Sequence, residues 1–374
     1  MSLSNNWEFR FLLHNLGLKD AFNSKFMAIV PNNSPRIRKI ISDVPAVASL
    51  IQNFTDQHGK QRYPCALLIR KDAPDSVKSL EGIISFRNIF ALSCLLYAWP
   101  RTIASLNVFF PLWSDFFDFY PTNLTRDPNF LHTFSPAIDG ANLPKNFRGQ
   151  VSPNLPNPDL LRFQPDDKIL SSSLGVWKKA FSGTGSLDWP TSVLFRSLEM
   201  AYQAASIPPN SRPTIYDFGS RIALWVSAFE VLVHPGILPD GKKGRADIEK
   251  VTDRLRQFSW RNLRLKQCEH QIIINGKPKN VNLVQKLYGE LNEARNDFLH
   301  GNSVARSRLF CFNNEHRRSL IEIAPVIYKV ALSCSFGQFG DIRGTTDEQP
   351  NYKEHFERSV LENALLATLE DRKQ

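Results

Sequence analysis

The residues best suited to chemistry lie together near the end of one predicted helix, in the segment Arg295-Asn296-Asp297-Phe298-Leu299-His300. On a helix, Asn296 and His300 share a face, whereas Arg295 lies about 100° from Asn296. Asn296 is therefore placed to orient the imidazole, and the long Arg295 side chain can still reach a phosphate beside it. Such a trio can cleave RNA without a metal ion. Histidine would move a proton at the ribose 2′-hydroxyl or the leaving 5′-oxygen, and arginine would stabilise charge on the phosphorane.

A carboxylate, Glu230, lies in the otherwise apolar segment ALWVSAFEVLV. Burial of an unpaired carboxylate is costly, so Glu230 needs a partner, and Arg295 is the candidate. The pair is compatible with two roles, tuning of catalysis or fixing of helix packing, because both kinds of ion pair perturb their neighbours.

These segments resemble the HEPN superfamily, and its Apea-like subgroup in particular, over a region from about Leu187 to Phe339. HEPN ribonucleases carry an Arg, a few intervening residues and a His, commonly with a polar residue such as Asn directly after the Arg. The helix LYGELNEARNDFLHGN, preceded by the Glu-containing apolar helix, is similar to that pattern. The resemblance implies a helical bundle, endoribonuclease activity without metal or cofactor, a homodimer that brings two motifs face to face, and a role in phage defence or as a toxin. The catalytic residues would be Arg295, Asn296, His300 and Glu230.

The same spacing also has a purely structural interpretation. Arg264 and His270 have a comparable spacing in a polar segment, as do Arg126 and His132, so short matches arise by chance. His300 followed by a glycine is typical of a helix C-terminus. The alternative function is therefore a non-catalytic interaction or nucleotide-binding module. A third possible function, that of a toxin acting with a nucleotidyltransferase, would require a companion protein.

A basic segment at residues 242–266 lies between two of the predicted helices and contains Phe258 and Trp260. Phosphate contacts combined with stacking on aromatic rings suit single-stranded RNA. The alternative is a solvated helix face with two aromatic residues packed inward. The candidate RNA-binding residues are Lys242, Lys243, Arg245, Arg254, Arg256, Arg261 and Arg264.

Four long helices must position these residues. Their periodicity and end signals, including Pro190 in a first turn, predict a four-helix bundle within 187–339. The predicted helices are Trp189–Ser206, Thr214–Val233, Asn282–His300 and Glu315–Ser335.

The remainder of the chain predicts a second domain and a tail. Residues 1–180 mix helical periodicity (42–54 and 83–97) with strand-like segments (63–70 and 107–113), so we expect a mixed α/β (α+β) domain that senses or recruits a ligand. A connection rich in Pro and Asn at 135–166 belongs to it, because repeated Pro disfavours helix. Residues 340–374 form a polar tail with a possible surface helix at 352–370. The expected class is mainly α.

Composition narrows the partners and the compartment. A net charge of +10 and a pI near 9.4 favour polyanions such as RNA. The five cysteines are widely spaced without metal-ligand partners, so we expect buried thiols in a reducing compartment and no metal site. The sequence contains no dinucleotide-binding, P-loop or zincin motif, so we expect no cofactor. The longest apolar stretch, 83–99, is interrupted by Arg87 and Asn88, and the first residues lack a signal-peptide pattern, so we expect a cytoplasmic protein without a membrane span.

Overall fold

The computed structural model describes residues 6–13, 18, 20–52, 65–105, 165–182, 188–207, 214–337 and 352–371, together with three short strands within 122–142. Helices predominate over strands in these residues, which confirms the mainly α class. The chain divides into two compact units, one made of residues 1–87 and 112–164, the other of 88–111 and 165–374. Each unit is described separately.

The first unit contains an antiparallel sheet of four strands in the order β1-β4-β3-β2. Two helices cover one face of it, because apolar side chains of strands β1, β3 and β4 pack against those of α1 and α2 in one buried cluster. The elements are β1 (Trp7–Leu13), β2 (Phe22–Asn23), β3 (Met27–Val30), α1 (Pro35–Asp43), α2 (Pro45–Gln52), β4 (Cys65–Arg70), α3 (Asp75–Lys78), β5 (Thr122–Leu124), β6 (Phe130–Thr133) and β7 (Ala141–Asn142). The last three pair antiparallel in a second sheet.

The helix predicted at 42–54 is replaced by two helices with a break at Val44. Val44 has an extended backbone with φ of −132°, and Pro45 begins the next helix. The break follows from Pro45, because proline disfavours the helical conformation in the residue before it. The strand predicted at 107–113 lies outside the described residues, as does most of the connection predicted at 135–166.

Helix α4 (Leu80–Ala104) is longer than its apolar periodicity predicts and runs from the first unit into the second. Its length and mean hydropathy would suit a membrane span, but 78% of its most apolar window is buried within the fold. Arg87 and Asn88, which interrupt the apolar stretch, are themselves buried. The helix therefore has the burial typical of a core helix in a soluble protein.

The second unit contains the four helices that the sequence predicts, at nearly the predicted bounds. They are α6 (Trp189–Ser206), α7 (Ile215–Leu232), α10 (Leu283–Leu299) and α11 (Leu320–Phe336). The largest difference is at α11, which begins at Leu320 rather than at Glu315: residues 315–317 form a turn, and Ser319 pairs with Phe310 in an isolated β-bridge. The capping boxes of α7 (Thr214 with Asp217) and α10 (Asn282 with Gln285) fix where these two helices start.

The core of the second unit is aromatic and centres on α7. The Phe229 ring lies 5.0 Å from the Tyr288 ring of α10 and 5.5 Å from the Tyr328 ring of α11, measured between centroids. Ser197 of α6 donates to the Ala228 carbonyl oxygen of α7 at 2.7 Å and shares a buried hydrogen bond of 2.8 Å with Tyr328. One helix is thereby fixed against three others, which makes α7 and α10 a rigid support for the side chains at their ends.

The second unit also contains elements outside the four predicted helices. They are the C-terminal part of α4, α5 (Asp167–Ser182), α8 (Ile248–Arg256), α9 (Leu263–Lys266), the hairpin of β8 (His270–Ile274) with β9 (Lys277–Val281), and α12 (Tyr352–Leu366). Helix α12 matches the possible tail helix but buries Leu361, Ala364 and Leu365.

The five cysteines of the chain are free thiols. Three of them are buried and one is half-buried, whereas Cys268 is exposed.

Candidate functional site

The candidate site is built where the C-terminal half of α10 packs along α7. Gly219 of α7 permits this close approach, since a Cβ at that position would lie 2.5 Å from the Phe298 ring of α10. The first turns of α7 therefore lie beside the last turn of α10. Glu230 lies near the other end of α7. It pairs with Arg295, which lies about one turn before Phe298 on α10.

Arg295 and Glu230 form the ion pair that the sequence predicts. One terminal nitrogen of Arg295, Nη2, donates to Glu230 and also to Asn292 Oδ1, the latter at 3.1 Å. The side chains of Arg295 and Glu230 retain 21% and 24% exposure. Among the described residues none accepts a hydrogen bond from Nη1, so one edge of the guanidinium remains available to a ligand.

Burial dominates the electrostatics of this pair. Desolvation raises the pKa of Glu230, and the positive charge and hydrogen bond of Arg295 reverse the effect only in part, so the pKa remains above its ordinary value. Asp247, the N-cap of α8, adds a nearby negative charge that acts in the same direction. Glu230 is thus a half-buried carboxylate whose charge depends on Arg295.

His300 is the C-cap of α10 and is exposed. Its backbone N–H bonds to the carbonyl oxygens of Asn296 and Phe298, and Gly301 follows with a positive φ of 69°, as a helix C-terminus requires. In the described part of the chain, no side chain hydrogen-bonds to the imidazole, so the contact expected from the half-buried Asn296 is not formed in this structure. The imidazole is free to meet solvent or a ligand.

Two neighbours of Arg295, Asn292 and Tyr288, lie outside the motif. Asn292 is 9% exposed and binds Arg295, and Tyr288 is fully buried. The Tyr288 hydroxyl has no hydrogen-bond partner among the described residues, and its pKa is raised well above the ordinary value by burial and then by the charge of Glu230. Their position beside Arg295 was predictable from the sequence, because residues 288, 292 and 295 follow helical spacing along one face of α10.

Asp297 serves a structural role within the motif. Its carboxylate pairs with Arg308 at 2.9 Å and accepts from the Asn302 side chain at 3.3 Å. The loop after α10 is therefore tied back to the helix that carries His300. These contacts hold the end of α10 in place without involving Arg295.

The basic segment presents most of its charge to solvent but uses its aromatic residues for packing. Of the candidate RNA-binding residues, all are exposed except Arg254, which is half-buried near Cys334 and has its pKa lowered by burial. Trp260 is 4% exposed, and its ring lies 4.4 Å from that of Phe258, between centroids. The rings follow the inward-packed interpretation, and RNA binding by this segment remains a prediction. The exposed candidates are Lys242, Lys243, Arg245, Arg256, Arg261 and Arg264.

Among the residues that the structure describes, no group of three or more acidic, histidine or cysteine side chains is arranged to hold a metal ion. No family model, curated protein or solved structure matches the chain. These comparisons therefore assign the chain to no family.

Proposed function

We propose that the protein is a metal-independent endoribonuclease of HEPN type that acts as a homodimer in the cytoplasm, in phage defence or as a toxin. The observation that carries this proposal is the arrangement at the end of α10. Glu230 and Asn292 hold the Arg295 guanidinium with Nη1 free, and an exposed imidazole follows five residues later, about 7.5 Å along the helix axis.

In the proposed reaction, His300 acts as general base toward the ribose 2′-hydroxyl or as general acid toward the leaving 5′-oxygen. Arg295 donates from Nη1 to a phosphoryl oxygen and stabilises the charge of the phosphorane. The bond from phosphorus to the 5′-oxygen breaks as the 2′-oxygen attacks, which leaves a 2′,3′-cyclic phosphate. Glu230 holds the guanidinium, and Asn296 orients the imidazole once RNA is bound.

Support for a homodimer comes from apolar side chains beside His300. Leu299 is 62% exposed at the end of α10, and Tyr216 is 76% exposed in the first turn of α7. The contact between Gly219 and Phe298 brings these two helix ends together. A second copy of the same face would cover these side chains and set two motifs opposite each other.

The dimer is tested by light scattering coupled to size exclusion. We expect Leu299→Lys to shift the protein toward monomer and to lower RNA cleavage. Ile273→Lys, at a 56% exposed position on the β8–β9 hairpin, should leave the mass unchanged. A dimer that persists in Leu299→Lys would contradict this interface.

The reaction is tested by incubating end-labelled single-stranded RNA with the purified protein in EDTA. We expect fragments that end in 2′,3′-cyclic phosphate, and no cleavage of DNA of the same sequence, which lacks the attacking hydroxyl. Arg295→Ala, checked for folding, should lower cleavage about 100-fold or more. Cleavage that requires a divalent metal, or cleavage of the DNA, would contradict the proposal.

One observation favours the alternative, a non-catalytic interaction or nucleotide-binding module. The pair of Arg295 with Glu230 closes within one subunit, and His300 caps its own helix, so both residues have structural uses. This alternative predicts that RNA or a mononucleotide binds without being cut. Binding measured by fluorescence anisotropy, with no cleavage across varied RNAs, would favour it.

A further inference from the structure

A cavity of about 690 Å³ lies within the second unit, between α11 and α12. The N-terminal end of α5, Tyr97 of α4 and residues 257–259 after α8 complete its described walls. Its volume falls in the range of about 300–1,000 Å³ that is typical of small-molecule sites. None of its lining residues belongs to the group around Arg295 and His300.

The walls of this cavity carry no excess of charge. Asp166 pairs with Lys329 at 2.7 Å, Asp167 with Lys353, and Lys168 with Glu354. The remaining charged lining residues are also paired, Glu357 with Arg101 and Arg358 with Glu362. The walls therefore offer no net attraction to a phosphate or another strongly charged ligand.

Most of the remaining lining is apolar, with aromatic rings on several sides. Tyr97, Phe258 and Phe336 contribute rings, and Leu361 contributes an aliphatic side chain. The Cys334 thiol is uncharged at neutral pH, because burial raises its pKa to about 12. These surfaces favour a ligand with a flat, apolar body.

Lys329 supplies the polar feature that a ligand can use. The residue is 6% exposed, and Asp166 is its only ion-pair partner among the described residues. An ammonium group has three N–H donors, and buried donors are normally satisfied. The donors not directed at Asp166 are therefore available to an acceptor in the cavity. Because the charge of Lys329 is already neutralised, an uncharged acceptor suits it better than a second carboxylate.

We propose that this cavity binds an uncharged small molecule with an apolar ring system and a carbonyl oxygen that accepts a hydrogen bond from Lys329. The site is separate from the proposed nuclease site and does not depend on that activity. A ligand here would contact α5, α11 and α12 together and would stabilise α12, which in the described residues is otherwise joined to α5 by exposed ion pairs.

The proposal is tested with three naphthalene probes of the same ring system. The first, 6-propionyl-2-dimethylaminonaphthalene, is an uncharged ketone whose emission shifts to the blue in apolar sites. The second replaces the propionyl group by a carboxylate, and the third has hydrogen in its place. Titration of the intact protein should give saturable binding of the ketone, about tenfold tighter than binding of either other probe.

Location is tested with variants that fill the cavity. Ser333→Trp and Gln257→Trp place a large ring at two lining positions, and each should weaken binding of the ketone at least tenfold. His355→Trp adds the same ring at an exposed position of α12 outside the lining and should leave binding unchanged. Circular dichroism identifies the variants that fold, and the exposed Gln257 position should tolerate the change.

The binding results test three points: the site, the charge of the ligand and the role of Lys329. Loss of binding in the filled variants, with the ketone preferred, supports the site and its chemistry. Undiminished binding in a folded Ser333→Trp or Gln257→Trp protein, or absence of saturable binding by the ketone, overturns the site. Equal or tighter binding of the carboxylate overturns the assignment of an uncharged ligand, and equal binding of the probe without carbonyl overturns the role of Lys329.

Discussion

Replacement of Arg295 by Met measures how much the ion pair with Glu230 contributes to the free energy of unfolding. Methionine retains most of the stem but none of the donors, so a half-buried carboxylate is left without its cation. Exposed ion pairs contribute about 0–1 kcal/mol, whereas breaking a fully buried pair costs about 3–5 kcal/mol. The side-chain exposures of 21% and 24% place this pair between these limits. We therefore expect the free energy of unfolding to fall by about 2 kcal/mol at neutral pH.

The pH dependence identifies Glu230 as the source of this loss. Its pKa is raised in the folded protein, so the folded state holds the proton more tightly than the unfolded state does. Stability from such a group is present below the unfolded pKa and is lost as pH rises through the folded pKa. Without Arg295 the folded pKa rises further. The loss in Arg295→Met should therefore be largest near neutral pH and shrink as pH falls toward the ordinary pKa of glutamate.

Urea unfolding followed by circular dichroism at about pH 7 and about pH 5 gives the required comparison. The double variant Glu230→Gln/Arg295→Met has no charge to bury and should be more stable than Arg295→Met alone at neutral pH. Arg264→Met, at an exposed arginine of the same unit, should change stability by less than about 0.5 kcal/mol. Equal losses at both pH values, or additive effects of the two single changes, would refute the reasoning.

Three further predictions concern the same unit. Gly219→Ala should lower the unfolding free energy by about 1–3 kcal/mol, because the new Cβ would lie 2.5 Å from the Phe298 ring, and an unchanged melting temperature would contradict that packing. Tyr288→Phe should leave the melting temperature unchanged or raise it, since the buried hydroxyl has no partner among the described residues, and a fall of several degrees would show that the hydroxyl is bonded. Burial raises the pKa of Asp166, but the charge of Lys329 outweighs this and leaves the pKa below its ordinary value. The stability that ionised Asp166 contributes is therefore present above the unfolded pKa and is lost as pH falls through the folded pKa. Asp166→Asn should lower the unfolding free energy by about 3–5 kcal/mol near neutral pH and by progressively less in acid. A loss that does not depend on pH would contradict the pairing of Asp166 with Lys329.

The helices around the motif were predictable because their local signals agree. Apolar periodicity, Pro190 in a first turn and a glycine after His300 all mark ends that the structure reproduces at α6 and α10. The contact between Glu230 and Arg295 was predictable for a different reason. A carboxylate in an apolar helix requires a cation, and the motif supplied one.

Other features depend on packing between distant segments and carry little local signal. Asn292 is nearly buried against Arg295, although its residue type is usually exposed. Eight of the fifteen residues of α12 are polar or charged, so its inward face was not apparent from its composition. Phe312 adopts a positive φ of 59°, a conformation that its residue type disfavours, while its N–H donates to buried Glu290 at 2.9 Å. That turn depends on a carboxylate distant in sequence and cannot be read from its own residues.

The proposed ribonuclease is tested most directly by comparing His300→Ala with His316→Ala. Both imidazoles are exposed in the same unit, but only His300 follows Arg295 at the end of α10. Cleavage of labelled single-stranded RNA in EDTA should fall about 100-fold or more in His300→Ala, the usual contribution of a general acid or base, and should match the unmodified protein in His316→Ala. Equal cleavage by the two folded variants would contradict the assignment of His300 and, with it, the proposed site.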